Sequence, residues 1–155
     1  MIFVLAFGIG VMAGLRSLTA PAVVAWAAYW GWLDLQGSYI AFLASAPARY
    51  LLLVLAFGEL IADKLPSTPN RTAALGLGAR IVTGSISGMA IGLASGRPVV
   101  GAICGALGAV TGAFAGFEVR HRLVRRLQIP DLFIALMEDA LAIAGSLFLA
   151  SRGSL

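Results

Sequence analysis

Charge is scarce in this sequence. Of its 155 residues only 12% are charged, eleven basic and seven acidic, against 60% hydrophobic. That is about half the charged share of an ordinary soluble domain, too little polar surface to cover a core of this size in water. The mean hydropathy of +0.95 agrees. Cysteine is confined to Cys104, which excludes an intramolecular disulfide and a cysteine metal cluster. Histidine is confined to His121, so no paired-histidine metal site exists, and no nucleophile elbow or phosphate-cradling glycine loop is present. Alternating apolar runs are missing, which argues against a β-barrel. No positive charge precedes the first apolar run, Met1–Leu5, so a cleaved signal peptide is not expected.

What remains is an all-α integral membrane protein. A transmembrane helix takes about 20 residues, so residues 1–155 form a single polytopic domain of at most five or six spans. The net charge of +4 would suggest nucleic acid in a soluble chain. Here the basic residues flank apolar segments, where they set topology and meet lipid phosphates.

The apolar stretch from Ile2 to Leu33 is interrupted at Arg16–Pro21. As one helix it would run about 48 Å, too long for a ~30 Å hydrocarbon core, yet it is too short for two full spans. It reads as a broken first span, with Thr19 as N-cap of the second half and Pro21 in its first turn. Whether it spans once or folds back as a re-entrant hairpin stays open. Trp26, Tyr29, Trp30 and Trp32 mark its interfacial end. Further spans are expected over about 49–62, 79–95, 99–117 and 131–151, five in all. The positive-inside rule then puts Lys64, Arg71, Arg80 and the cluster Arg120, Arg122, Arg125 and Arg126 in the cytoplasm of an inner-membrane protein. The N-terminus would be inside and the C-terminus outside.

Gly84, Gly88, Gly92 and Gly96 recur every four residues, and Gly101, Gly105, Gly108, Gly112 and Gly116 nearly so. Such spacing lines one helix face with glycine, which predicts a glycine-zipper hairpin of spans three and four. Gly10 and Gly14 repeat the pattern. Packing within the chain is the first reading; a homodimer or larger membrane complex is the second. The segment Gly10–Arg16 echoes Gly112–Glu118, which would fit an inverted repeat of the kind found in transporters.

Ionisable groups inside apolar runs are costly and face a cavity or a partner. Arg16, beside Ser17, Thr19 and the N-terminus of a half-helix, forms a candidate anion or substrate site. The rival reading is that Arg16 pairs with a buried acid and locks the fold. Glu59, Asp63, Lys64, Arg80, Glu138 and Asp139 are candidates for a buried charge network, with Glu138 or Asp139 meeting Arg16 or Arg80. Arg120, His121, Arg122, Arg125 and Arg126 are expected at lipid headgroups. No catalytic residue, metal site or cofactor is expected.

The motifs Gly14-Leu15-Arg16-Ser17-Leu18-Thr19-Ala20-Pro21, Gly58-Glu59-Leu60-Ile61-Ala62-Asp63-Lys64-Leu65-Pro66, Ser67-Thr68-Pro69-Asn70-Arg71-Thr72 and Glu138-Asp139-Ala140-Leu141-Ala142-Ile143 resemble the DUF4126 family of small bacterial membrane proteins. The resemblance covers nearly the whole chain and implies a glycine-rich helical membrane protein without an assigned activity. Three functions are therefore weighed. A transporter or channel-like protein for an anionic or lipid-like solute comes first. A structural or accessory subunit packed through glycine faces comes second. A lipid-modifying enzyme using Glu59 or Glu138 comes third, since no metal-ligand or nucleophile spacing supports it. Membrane lipids are the expected partners, and nucleic acid is not.

Overall fold

The structure is a computed structural model and describes residues 1–63, 73–127 and 130–153 (126 and 127 as backbone only). All regular structure among them is helical. The elements are α1 (Ile2–Leu15), α2 (Thr19–Tyr29), a 3-10 turn (Ala41–Ala44), α3 (Ala46–Ala62), α4 (Ala74–Leu93), α5 (Pro98–Leu127) and α6 (Asp131–Ser151). Three of them, α4, α5 and α6, are long and apolar enough to cross a membrane. Large apolar side chains such as Val82, Ile103, Leu107, Met137, Leu141 and Phe148 point outward along these helices. An exposed belt of this kind is what lipid, not water, accommodates.

The polar break in the first apolar stretch is a reversal of direction. α1 runs antiparallel to α6: Gly8 abuts Leu149, Met12 abuts Gly145, and Arg16 reaches Asp139. α2 runs the same way as α6, from the Arg16–Asp139 contact to Leu33 against Gly153. It also runs antiparallel to α3, since Leu18 bonds Glu59 at one end and the Trp26 ring meets Tyr50 at the other. Thus α1 and α2 form a helical hairpin with Arg16–Leu18 at its tip. At about 1.5 Å per residue the two arms are roughly 21 and 16 Å long. The start of α1 and the end of α6 therefore lie at one end of the bundle, not at opposite ends as a once-crossing first span requires. The reversal adds one change of direction that hydropathy alone does not register.

The glycines are where the backbones touch. α4 and α5 form a hairpin whose turn uses Gly96 at φ 66°, a left-handed conformation that glycine adopts without strain, before Pro98 opens α5. Along the hairpin, a methyl group added at Gly92 would lie 2.9 Å from the Gly101 Cα, and one at Gly88 would lie 2.8 Å from the Gly105 Cα. No side chain fits in these gaps. The adjacent face of α5 meets α1 in the same way: a methyl at Gly14 would lie 2.7 Å from the Ala113 nitrogen, and one at Gly108 2.9 Å from the Val11 nitrogen. Glycine and alanine at Ala6, Gly10, Ala13 and Gly14 give α1 a small buried face, so three helices, not two, share the close contact. α1 and α5 run in the same direction here, because Gly10 meets Gly105 while Gly14 meets Ala109 and Ala113. The echo between Gly10–Arg16 and Gly112–Glu118 therefore joins parallel neighbours and not inverted copies.

Four hydroxyls of α4 and α5 are satisfied within their own helix. Thr83, Ser85, Ser87 and Thr111 each donate to the carbonyl four residues earlier. Such back-bonding satisfies a hydroxyl without a partner helix.

Candidate functional site

The tip of the α1–α2 hairpin joins two helix ends of opposite polarity. The C-terminus of α1 presents carbonyls and partial negative charge; the N-terminus of α2 presents N–H groups and partial positive charge. Both are buried, so each needs a partner of matching sign. Arg80 of α4 supplies the first. It is 6% exposed, and its Nε donates to the Gly14 carbonyl at 3.1 Å and its Nη1 to the Gly76 carbonyl at 3.1 Å. Glu59 of α3 supplies the second. Its Oε1 accepts from the Ser17 N–H at 2.7 Å and the Ser17 hydroxyl at 2.6 Å, and its Oε2 accepts from the Leu18 N–H at 2.7 Å.

This is a helix cap delivered from another helix. α2 starts at Thr19, with Leu18 at the N-cap position and no side-chain cap of its own. Thr19 is thus the first helical residue and not the cap; Pro21 stands in the first turn as expected. The anion that the half-helix N-terminus holds, together with Ser17, is the protein's own Glu59 carboxylate.

Arg16 completes the tip. Its side chain is fully buried, with Nη1 paired to the Asp63 carboxylate and Nη2 2.7 Å from Oδ1 of Asp139. The guanidinium fork thereby ties α1 to the end of α3 and to the first half of α6. Arginine suits this task because its planar head holds two carboxylates at fixed angles. The centre gathers two cations, Arg16 and Arg80, and three carboxylates, Glu59, Asp63 and Asp139, from α3, α4, α6 and the tip between α1 and α2.

Glu138 stands elsewhere. Adjacent helical residues project about 100° apart. While Asp139 turns inward, Glu138 lies 3.4 Å from Arg120, which also binds Asp131 at 2.6 and 2.8 Å. Asp139 and not Glu138 is therefore the acid that meets Arg16. Arg122 pairs with Glu118 one turn earlier, and His121 stacks on Phe117. His121, Arg122 and Arg125 are exposed at the end of α5. Lys64, Arg71 and the side chain of Arg126 lie outside the described residues.

Replacing Glu59 measures its hold on the tip. Glu59→Gln keeps an acceptor but loses the charge and offers N–H to N–H on one side. We expect a loss of about 1–3 kcal/mol, and more for Glu59→Ala, which strips all three bonds. Thermal unfolding in detergent reads this order, and equal stability of the three proteins would contradict the cap.

Beside the charge centre opens an apolar cleft of about 340 Å³ between α2, α3 and α6. Its walls include Thr19, Trp26, Trp30, Phe57, Ile143 and Leu147. One end lies at Thr19, next to the Glu59 cap. The other lies in an aromatic group: Trp26 touches Tyr29, Trp30 and Tyr50, and Trp30 touches Trp32 at 4.9 Å. Arg49 sits among these rings, its guanidinium carbon 3.8 Å from the Tyr29 centroid, 5.3 Å from that of Tyr50 and 5.5 Å from that of Trp26. The sequence points to the Trp26–Trp32 group through its composition. It gives no local cue that Arg49 and Tyr50, on a different helix, close the ring around it.

The family model for a domain of unknown function, DUF4126, matches residues 3–151, which includes every part of this centre and of the cleft. The chain belongs to the DUF4126 family. Neither a curated protein nor a solved structure matches it. The family assignment agrees with the helical membrane character of the chain and leaves the activity to be argued from the geometry.

Proposed function

We propose that this DUF4126 protein is a small inner-membrane carrier for a lipid-like solute, with the cleft between α2, α3 and α6 as its binding site. In this reading α3, α4, α5 and α6 cross the membrane, and α1–α2 enters from one face and returns to it. The Arg120 end is cytoplasmic, and both termini lie outside. The basic residues then keep a seven-to-three excess inside, Lys64, Arg71, Arg80, Arg120, Arg122, Arg125 and Arg126 against Arg49, Arg97 and Arg152. Moving the N-terminus outside costs nothing in this count, because no Lys or Arg precedes Arg16.

The observation that carries the proposal is the cleft. Its volume falls at the lower end of the roughly 300–1,000 Å³ typical of ligand sites, and its walls are almost wholly apolar. An apolar wall selects a hydrocarbon-bearing solute over a free anion. The burial of Arg16 supports the same choice, since its guanidinium is fully buried and ion-paired with Asp63 and Asp139, with its Nε left without an acceptor among the described residues. In this account the charge centre is the hub that fixes α1–α2 against α3, α4 and α6, and the cleft beside it does the binding. The glycine faces of α4, α5 and α1 meet one another, which supports packing within the chain as their role.

Lipid translocation in reconstituted vesicles tests it. A head-labelled fluorescent phospholipid should lose its inner-leaflet protection faster with the protein than without it. Ala56→Phe, which places a ring in the cleft, should abolish that gain. Transfer equal to protein-free vesicles would overturn the proposal.

A further inference from the structure

We propose that the cleft holds an acyl chain of one anionic phospholipid whose phosphate is bound by Arg49 at the aromatic end, an inference that rests on reading the cleft as a solute site. Arg49 differs from the other arginines around the centre. Arg16, Arg120 and Arg122 each have a carboxylate, and Arg80 has backbone carbonyls. Among the described residues Arg49 has aromatic faces and neither a carboxylate nor a carbonyl, and its Nε, like that of Arg16, finds no acceptor there. The indole N–H of Trp26, on the cleft wall, is a second donor without an acceptor among the described residues. Two donors beside an apolar cleft match a headgroup that carries acceptors and negative charge above a hydrocarbon chain.

The rings decide between headgroups. Trp26, Tyr29 and Tyr50 form a cage of the type that binds quaternary ammonium, but the Arg49 guanidinium already occupies it. A choline headgroup would bring a second cation to a filled cage, whereas an anionic headgroup neutralises the first. The guanidinium carbon lies 3.8 Å from the Tyr29 centroid, and an arginine held against a ring face keeps N–H donors at its edge for phosphate. Arg49 opens α3 at the end of the bundle remote from the Arg120 cluster, and the surrounding Trp and Tyr residues are those that settle at headgroup depth. The phosphate and the rings are thus at one level, with the cleft running inward from them.

The chain's three tryptophans, Trp26, Trp30 and Trp32, all belong to this group, so selectively excited tryptophan fluorescence reports on this place and no other. The experiment reconstitutes the full chain in phosphatidylcholine vesicles doped with phosphatidylglycerol or phosphatidylcholine carrying brominated acyl chains, which quench on contact. At equal mole fraction the anionic lipid should compete for the site about fivefold better, the weight of one arginine beside an anionic headgroup. Arg49→Gln should remove that preference, and Arg49→Lys should keep most of it. Ala56→Phe should relieve quenching by both lipids. A wild-type preference that survives in Arg49→Gln overturns the assignment of Arg49. Equal quenching by the two lipids, still relieved by Ala56→Phe, overturns the anionic headgroup while leaving the cleft as a solute site. Quenching that Ala56→Phe does not change overturns both.

Discussion

Arg16→Ala is expected to lower the melting temperature in detergent by about 10 °C or more. The side chain is fully buried between the carboxylates of Asp63 and Asp139. Its removal takes away the cation that bridges the Asp63 and Asp139 carboxylates, and breaking one side of a buried ion pair costs about 3–5 kcal/mol. For a chain of this size each kcal/mol moves the midpoint by about 2–4 °C. Arg16→Lys should fall between, because an ammonium keeps the charge but not the fork that spans two helices. The triple variant Arg16→Ala, Asp63→Asn, Asp139→Asn should recover part of the loss by removing the stranded charges. That recovery separates an electrostatic lock from simple loss of side-chain volume. An Arg16→Ala protein with the wild-type midpoint would refute the lock.

Gly105→Leu should prevent the protein from accumulating in the membrane. Gly105 stands where α1, α4 and α5 meet. A methyl group there would lie 2.9 Å from the Gly84 carbonyl carbon and 3.0 Å from the Gly88 Cα, and a methyl on Gly10 would lie 2.8 Å from the Gly105 Cα. The obstacles are backbone atoms, which cannot rotate aside as a side chain does. Without a hydrophobic drive between helices in lipid, such contacts supply the packing that holds them together. Gly58→Ala is the control. Nothing lies within 4 Å of its added methyl in α3, so the substitution should raise stability by about 0.5–1 kcal/mol through helix propensity. Yields in isolated membranes distinguish the two. Normal accumulation of Gly105→Leu would mean that the three helices are not in backbone contact.

Composition alone makes the chain helical and membrane-like, and four-residue glycine spacing shows which faces of α4 and α5 are small. Both are local signals, and both are legible because a missing side chain or a missing charge needs no partner to be noticed. The break at Arg16 is legible for the same reason. Its consequence is not. A single crossing and a hairpin differ only in what Arg16, Ser17 and Leu18 bond to, and those partners, Glu59, Asp63 and Asp139, lie 41 or more residues away in sequence. Thr19 looks like an N-cap by residue type, yet the cap is Glu59 from α3. Glu138 and Asp139 are indistinguishable in sequence, and only the rotation of α6 sends one to Arg16 and the other to Arg120. The cleft and the Arg49 ring are tertiary features throughout, built from α2, α3 and α6 with no shared motif.

The central structural claim is that residues 2–29 turn back at Arg16, and cysteine labelling from the two sides of the membrane tests it most directly. In a Cys104→Ser background, Ile2→Cys precedes the hairpin, Gln36→Cys follows it, and Arg125→Cys marks the opposite end of the bundle. A membrane-impermeant maleimide applied to right-side-out and inverted vesicles should label Ile2→Cys and Gln36→Cys from one face and Arg125→Cys from the other. Labelling of Ile2→Cys and Gln36→Cys from opposite faces would show a single crossing and contradict the account.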